Sequence, residues 1–221
     1  MNLGQLRDEF RLIAKDAVLP YKWADDDVNA WMNEGEREVC IRARLLFDKI
    51  TPTYCEIAVA AGTREYAVDA KVTDIVSASL VDVDDNTYPL RILTRGWLDH
   101  QAPTWREDDA GRPKAIMHYD KHVEFNIEPD AVYTLKLETY RLPVADMAAD
   151  VDAPEIATIH HIHLVKWALH RAYGIQDADT YDKDAEARYL GEFTALFGPR
   201  PGADLRKQQN AEAPRARPNW C

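Results

Sequence analysis

The sequence predicts an α+β protein: an α-helical bundle built from N- and C-terminal helices, an inserted antiparallel β-sandwich or barrel, and an extended C-terminal arm. Three observations predict it. Apolar residues recur every three or four positions over residues 1–50 and again over 150–198, the spacing of helices that bury one face. Between them, residues 51–149 break into short β-branched and aromatic runs separated by turn residues, the pattern of several paired strands. From residue 199 the chain turns to Pro, Arg and small polar residues, a composition that stays extended when isolated.

The first helix is expected to bury Leu3, Leu6, Phe10, Ile13 and Ala17 and to stop at Pro20, which cannot continue a helix. A second helix is expected in "WADDDVNAWMNEGEREVCIRARLLF", with Asp25–Asp27 at its cap and Val28, Trp31, Met32, Gly35, Val39, Arg42 and Leu46 along one stripe. An Asp at the cap accepts a bond from a first-turn amide, which explains the acidic triplet better than a metal cluster does. Strands are expected near 53–60, 64–69, 72–82, 87–93, 114–119, 122–128 and 132–141, with a short helix and a polar loop between the fourth and fifth. A third long helix is expected from about 153 to Tyr173, started by a capping box of Asp152 and Glu155 around Pro154 and stopped by Gly174. A fourth places Ala178, Tyr181, Ala185, Tyr189, Phe193 and Leu196 on one face, and a short helical piece is expected at 203–209.

Composition limits the function. The 221 residues are 46% hydrophobic and 29% charged, which describes a folded protein with a real core. No apolar stretch reaches the roughly 18–20 residues of a membrane helix. Charges occupy the N-terminal "MNLGQLRDEF", where a signal peptide would be apolar, so a cytoplasmic protein is expected. Cys40, Cys55 and Cys221 form no CxxC pair and support neither a disulfide framework nor a Cys-based zinc site. The net charge of −11 argues against a protein that wraps nucleic acid. Beyond Gly198, however, five basic residues face two acidic ones, so an acidic body carries a basic tail.

Four of the seven histidines fall in "HHIHLVKWALH", and histidine is the commonest metal ligand and the usual acid–base group near neutral pH. On one continuous helix, His160, His163 and His170 would share a face with Ile156 and Trp167, while His161 would point away. His160 to His170 would then span about 15 Å, too far to share an ion bound at about 2 Å. No HExxH, Gly-rich phosphate loop or GxSxG is present. "DVDDNT" lacks the Gly and Glu of a helix–loop–helix calcium site and reads as a hairpin turn. Trp23, Trp31, Trp97, Trp105 and Trp167 suit core or domain-junction positions; Trp220, at the end of a Pro/Arg-rich segment, suits an anchor for a partner. Two rival readings stay open: a metal-dependent hydrolase using the His160–His170 helix, and a receptor- or carbohydrate-binding β-sandwich carried on helices.

Taken in order, "WADDDVNAWMNEGEREVCIRARLL", "AAGTREYAV", "YPLRIL", "GRPKAIMHYD", "YRLP", "PEIATIHHIHLVKWALHRAYGIQDADTYD" and "FTALFG" resemble the head-to-tail adaptor proteins of tailed bacteriophages, also called head-completion or connector proteins of the neck. The resemblance covers most of residues 20–198, and order and spacing carry it, since no piece is a chemical signature. Gly35 departs from it, standing where a small helix former such as Ala is expected. A glycine there costs about 1 kcal/mol of helix stability and permits close helix packing. The resemblance implies a structural virion protein without enzymatic activity, metal or cofactor. It implies a ring, usually of twelve subunits, that joins the portal to a downstream tail or nozzle protein. Genomic DNA would pass through the lumen without sequence-specific binding, and no membrane is involved. It also implies a C-terminal arm that reaches the portal, for which Arg206, Lys207, Arg215, Arg217 and Trp220 are the candidate contacts.

Overall fold

In the computed structural model, residues 1–176 and 180–202 are described; the piece expected at 203–209 and Ala178 lie outside them. The chain divides into two units, Met1–Leu46 with Leu142–Arg200, and Phe47–Arg141.

The first unit is helical. Helix α1 (Leu3–Ala14) starts on a capping box in which Asn2 Oδ1 accepts from Gln5 N at 2.9 Å and Gln5 Oε1 accepts from Asn2 N at 3.1 Å. It buries Leu3, Leu6, Phe10 and Ala14. The expectation for Ile13 and Ala17 is corrected: the helix ends three residues sooner, because Lys15 turns into the left-handed region at φ 55°, and both residues are exposed. Helix α2 (Asp25–Ala43) has Ala24 at its N-cap with no side-chain cap, so Asp25–Asp27 lie inside the first turn rather than capping it. There their negative charge complements the positive end of the helix dipole. Gly35 lies against Trp167, whose Cβ would come within 3.1 Å of a methyl group at that position.

The helix expected from 153 begins later. Residues 158–163 form a 3-10 turn (Thr158–His163), and helix α5 runs over Leu164–Tyr173. Asp152 and Glu155 build no capping box: Asp152 Oδ2 accepts from Ala148 N and Ala149 N at 2.9 and 2.8 Å, and Glu155 Oε2 accepts from Val144 N at 2.9 Å. The physical reason is tertiary. The Glu36 carboxylate on α2 accepts from Glu155 N at 2.6 Å and Ile156 N at 3.4 Å, holding the segment out of helical conformation. Helix α6 (Lys183–Phe197) buries Ala185, Tyr189, Phe193 and Phe197, while Tyr181 and Leu196 are exposed. The shared core includes Leu6, Phe10, Trp31, Met32, Leu164, Trp167 and Phe193.

The second unit is one curled, mixed sheet of eight strands shaped as a half-barrel; it departs from the expected all-antiparallel sandwich or barrel at one parallel pair. Its strands are β1 (Phe47–Asp48), β2 (Glu56–Val59), β3 (Glu65–Ala67), β4 (Val72–Val81), β5 (Thr87–Ile92), β6 (Ala115–His118), β7 (His122–Phe125) and β8 (Tyr133–Arg141). The order is β1-β8-β4-β5-β6-β7-β3, with β2 also on β8. Each of the seven expected strands appears, although the first opens on a short helix α3 (Pro52–Cys55), and β1 is additional. β5 and β6 pair in parallel through Arg91↔Ala115 and Ile92↔Ile116. A parallel pair needs a long crossover. Residues 93–114 supply it, with helix α4 (Arg95–Gln101) and a small core of Leu93, Leu98, Trp105, Ala115 and Met117. "DVDDNT" is the β4–β5 hairpin turn, organised by Asp82, which accepts from the backbone of Asp84 and Asn86 and from Tyr88 Oη. β1 and β8 pair Phe47↔Tyr140 and Asp48↔Thr139, so the entry and exit of this unit are hydrogen-bonded to one another.

Candidate functional site

Arg206, Lys207, Arg215, Arg217 and Trp220 lie outside the described residues; the root of their segment is described. It is fixed by two charges on the last turns of α2. Arg42 Nε pairs with Glu38 Oε1 at 2.8 Å, both side chains at most 7% exposed. Arg42 also donates to Thr194 Oγ1 at 3.1 Å and to the Gly198 carbonyl at 3.2 Å, and its guanidinium lies over the Trp167 and Phe193 rings. Arg200 reaches the other Glu38 oxygen at 3.5 Å. Removing one partner of a buried pair costs about 3–5 kcal/mol, so this cluster holds the chain from Thr194 to Arg200 against α2.

The histidines do not converge. In the 3-10 turn, residues three apart eclipse, and His160 and His163 both direct their rings at Phe197, with centroids 5.7 and 6.1 Å away. Burial, then Lys166, then His160 hold the His163 pKa below its ordinary value. His161, expected only to point away from that face, is the buried one at 4% exposure. Its Nε2 lies 2.9 Å from the Ile156 carbonyl, and its Nδ1 lies 2.9 Å from the Met1 amine and 2.8 Å from the Met1 carbonyl. His170, on α5, packs edge-on against Trp167, with Nδ1 3.3 Å from the Glu186 carbonyl. The single helical face expected for His160, His163 and His170 is thus split between two elements of different twist.

A surface feature escaped the sequence. Leu12, Val18 and Leu19 are 68%, 81% and 73% exposed, with Ile13 and Tyr21 beside them at 39% each. Leu12 and Ile13 stand on the last turn of α1 and the others on the loop that follows, which is fixed from below. Arg11, 5% exposed, forms a salt bridge with Asp16, 4% exposed, and donates to the Trp23 carbonyl at 2.7 Å and to Asp25 Oδ1 at 2.8 Å. Asp16 in turn accepts from Lys22 N at 2.8 Å, and the Arg11 guanidinium lies 3.9 Å from the centre of the Tyr21 ring. Both ends of the 16–22 loop therefore close on one buried ion pair, and the apolar residues stand outward. The signal in the sequence was a charged pair, Arg11 and Asp16, inside an apolar stretch.

The family comparison places the chain among known proteins. A family model described as SU10 adaptor protein matches residues 1–218. The chain belongs to this family of phage head-to-tail adaptors. No curated protein matches it.

Catalytic features are sparse in this adaptor. Among the described residues no group of three or more His, Cys, Asp or Glu side chains is placed to hold a metal ion. A cavity of about 170 Å³ is lined by His170, Arg171, Gly174, Ile175 and Glu186, smaller than the roughly 300–1,000 Å³ of small-molecule sites. Cys40 and Cys55 are buried, and burial raises the Cys55 thiol pKa, away from a reactive thiolate. No described helix is long and apolar enough to cross a membrane. Trp23, Trp31, Trp97, Trp105 and Trp167 lie in or against the hydrophobic cores, as expected of them. A structural role in the bacteriophage particle follows from the family.

Proposed function

We propose that this adaptor is a structural virion protein of the neck, assembled in the host cytoplasm, whose copies form a ring of twelve between the portal and the tail. The observation that carries the reading is the family match, which runs through residues 1–218 and so includes both units and nearly all of the tail. Charge supports the channel. With −11 overall and the basic excess confined beyond Gly198, the body repels a DNA backbone, which favours sliding over sticking. The arm docks on the portal through Arg206, Lys207, Arg215, Arg217 and Trp220, a set rich in the residue types that dominate interface energetics. Folding on binding lets such an arm wrap a partner. The pinned root at Arg42, Glu38 and Arg200 supports this by giving the arm a fixed point of departure.

The test is co-expression with the phage's own portal protein, followed by affinity capture and electron microscopy. The reading expects a portal-bound ring, lost when residues 203–221 are deleted while the helical and sheet units keep their unfolding midpoints. An adaptor that stays off its portal in co-expression overturns it. Unchanged docking of the truncated chain removes the arm from the mechanism.

A further inference from the structure

We propose that the apolar knob formed by Leu12, Ile13, Val18, Leu19 and Tyr21 packs against the Ile159/Ile162 face of a second copy of this chain, head to tail. The inference rests on the ring reading and assigns the surfaces that would close it.

The knob is built rather than incidental. Its five side chains expose on the order of 500 Å² of largely apolar surface, in the range of about 300–600 Å² of the largest patch on a typical monomer, which is often functional. A standard interface takes about 800 Å² from each partner, so the knob supplies an apolar centre that needs only a polar rim. The buried Arg11–Asp16 pair and the bonds to Trp23, Asp25 and Lys22 set the loop before any partner arrives. Pre-ordering of this kind lowers the entropy lost on binding.

A second, different apolar patch lies on the 3-10 turn Thr158–His163, near the other end of α1. Ile159 and Ile162 are 74% and 36% exposed, and three-residue spacing in a 3-10 turn puts them on one side. His161 lies between them in sequence, with Nδ1 2.8 Å from the Met1 carbonyl, which places this patch at the start of α1. The knob begins on the last turn of α1, a helix of 12 residues that spans about 18 Å along its axis. Two unlike patches near opposite ends of α1 suit a heterologous contact, in which each copy offers one face to the copy before it and the other to the copy after; such contacts make rings when the rotation closes. The knob is followed directly by the exposed Asp26 and Asp27, whereas residues 156–176 contain no Asp or Glu and hold Lys166 and Arg171 in ion pairs with Glu192 and Glu34.

Three samples of the full-length chain test this by analytical ultracentrifugation and native mass spectrometry up to about 1 mM: Leu19→Glu, Ile159→Lys, and their equimolar mixture. Both sites are exposed, so circular dichroism and thermal midpoints should match the parent chain. The expected result is that the parent self-associates and each variant weakens association at least ~10-fold, the order expected for placing a charge in an apolar contact. The mixture should then form a 1:1 dimer, because the intact knob of one variant meets the intact 159/162 face of the other. Rings formed equally well by both variants overturn the assignment while leaving the ring itself in place. A parent chain that stays monomeric throughout the range also overturns it, whereas the ring reading then stands or falls on portal co-expression. Dimers from the mixture no tighter than from either variant alone refute the head-to-tail arrangement.

Discussion

Replacing Arg11 by Met should unfold the helical unit far more easily while leaving the sheet unit untouched. Arg11 is 5% exposed and Asp16 4% exposed, so the pair is excluded from water. Breaking a buried pair by removing one partner costs about 3–5 kcal/mol, since the other charge stays behind. Asp16 keeps its bond from Lys22 N, but the Trp23 carbonyl loses its donor at 2.7 Å. The cation–π contact with Tyr21 adds about 0.5–1 kcal/mol to the loss. Burying the methionine side chain returns about 1–2 kcal/mol. The net expectation is a loss of about 3 kcal/mol. With a urea slope near 2 kcal/mol/M, that lowers the midpoint by roughly 1.5 M. Helical circular dichroism follows the unit that holds α1, α2, α5 and α6, and the transition of the sheet unit should stay in place. Arg11→Lys should fall between, because one ammonium cannot reproduce the fork that reaches Asp16, Trp23 and Asp25 together. A loss below about 1 kcal/mol for Arg11→Met would refute the claim that this pair organises the loop.

Gly35→Ala should destabilise the helical unit by about 1 kcal/mol in urea denaturation: the gain of about 1 kcal/mol in helix propensity is outweighed by overpacking against Trp167 Cβ, 3.1 Å away. Burial opposes ionisation of Asp48, but bonds from Thr51 N, Arg141 Nε, Ile50 N and Thr51 Oγ1 outweigh it and hold its pKa below the carboxylate range. A depressed carboxyl pKa contributes stability above about pH 4 and loses it as pH falls further. Asp48→Ala should therefore cost the sheet unit about 3 kcal/mol at pH 7 and flatten its acid-induced loss, as read by unfolding at pH 7 and pH 3. Glu36 behaves oppositely: burial raises its pKa against the bonds from Glu155 N and Ile156 N, so its contribution is largest below about pH 4.3 and declines as pH rises through the folded-state value. Glu36→Gln keeps an acceptor for those amides, and its thermal midpoint should rise relative to the parent between pH 4.5 and pH 7; parallel profiles would exclude the effect.

Local chemistry made the helix–strand–helix order legible. Period-four and period-two patterns do not depend on distant residues, and the hairpin at Asp82 carries its own turn chemistry. Close packing at Gly35 could also be expected from a small residue inside a helical stripe, and it is found against Trp167. The misreadings were decided at long range. Glu36 takes the amides of Glu155 and Ile156 from 119 and 120 positions away, which moves the start of α5 to Leu164. The parallel β5–β6 pair depends on where residues 93–114 carry the chain. Both α1 and α2 end on left-handed residues, Lys15 and Arg44, that carry no glycine signal. The knob was hidden because Leu12 and Leu19 look like core residues until a buried ion pair is known to turn them outward.

The pairing of β1 with β8 has an evolutionary consequence. Phe47 faces Tyr140 and Asp48 faces Thr139 across one antiparallel ladder, and Arg141 is tied to Asp48 at 2.8 Å. Opposed residues in such a ladder sit only about 5 Å apart, a gap that a two-residue turn spans. The intervening sheet is therefore a cassette, inserted between neighbouring points of the host chain. Recombination that trades it for another module, or removes it, leaves the connection between α2 and the segment leading to α5 nearly the same length. A change of this kind alters the sheet without redesigning the helices of the first unit.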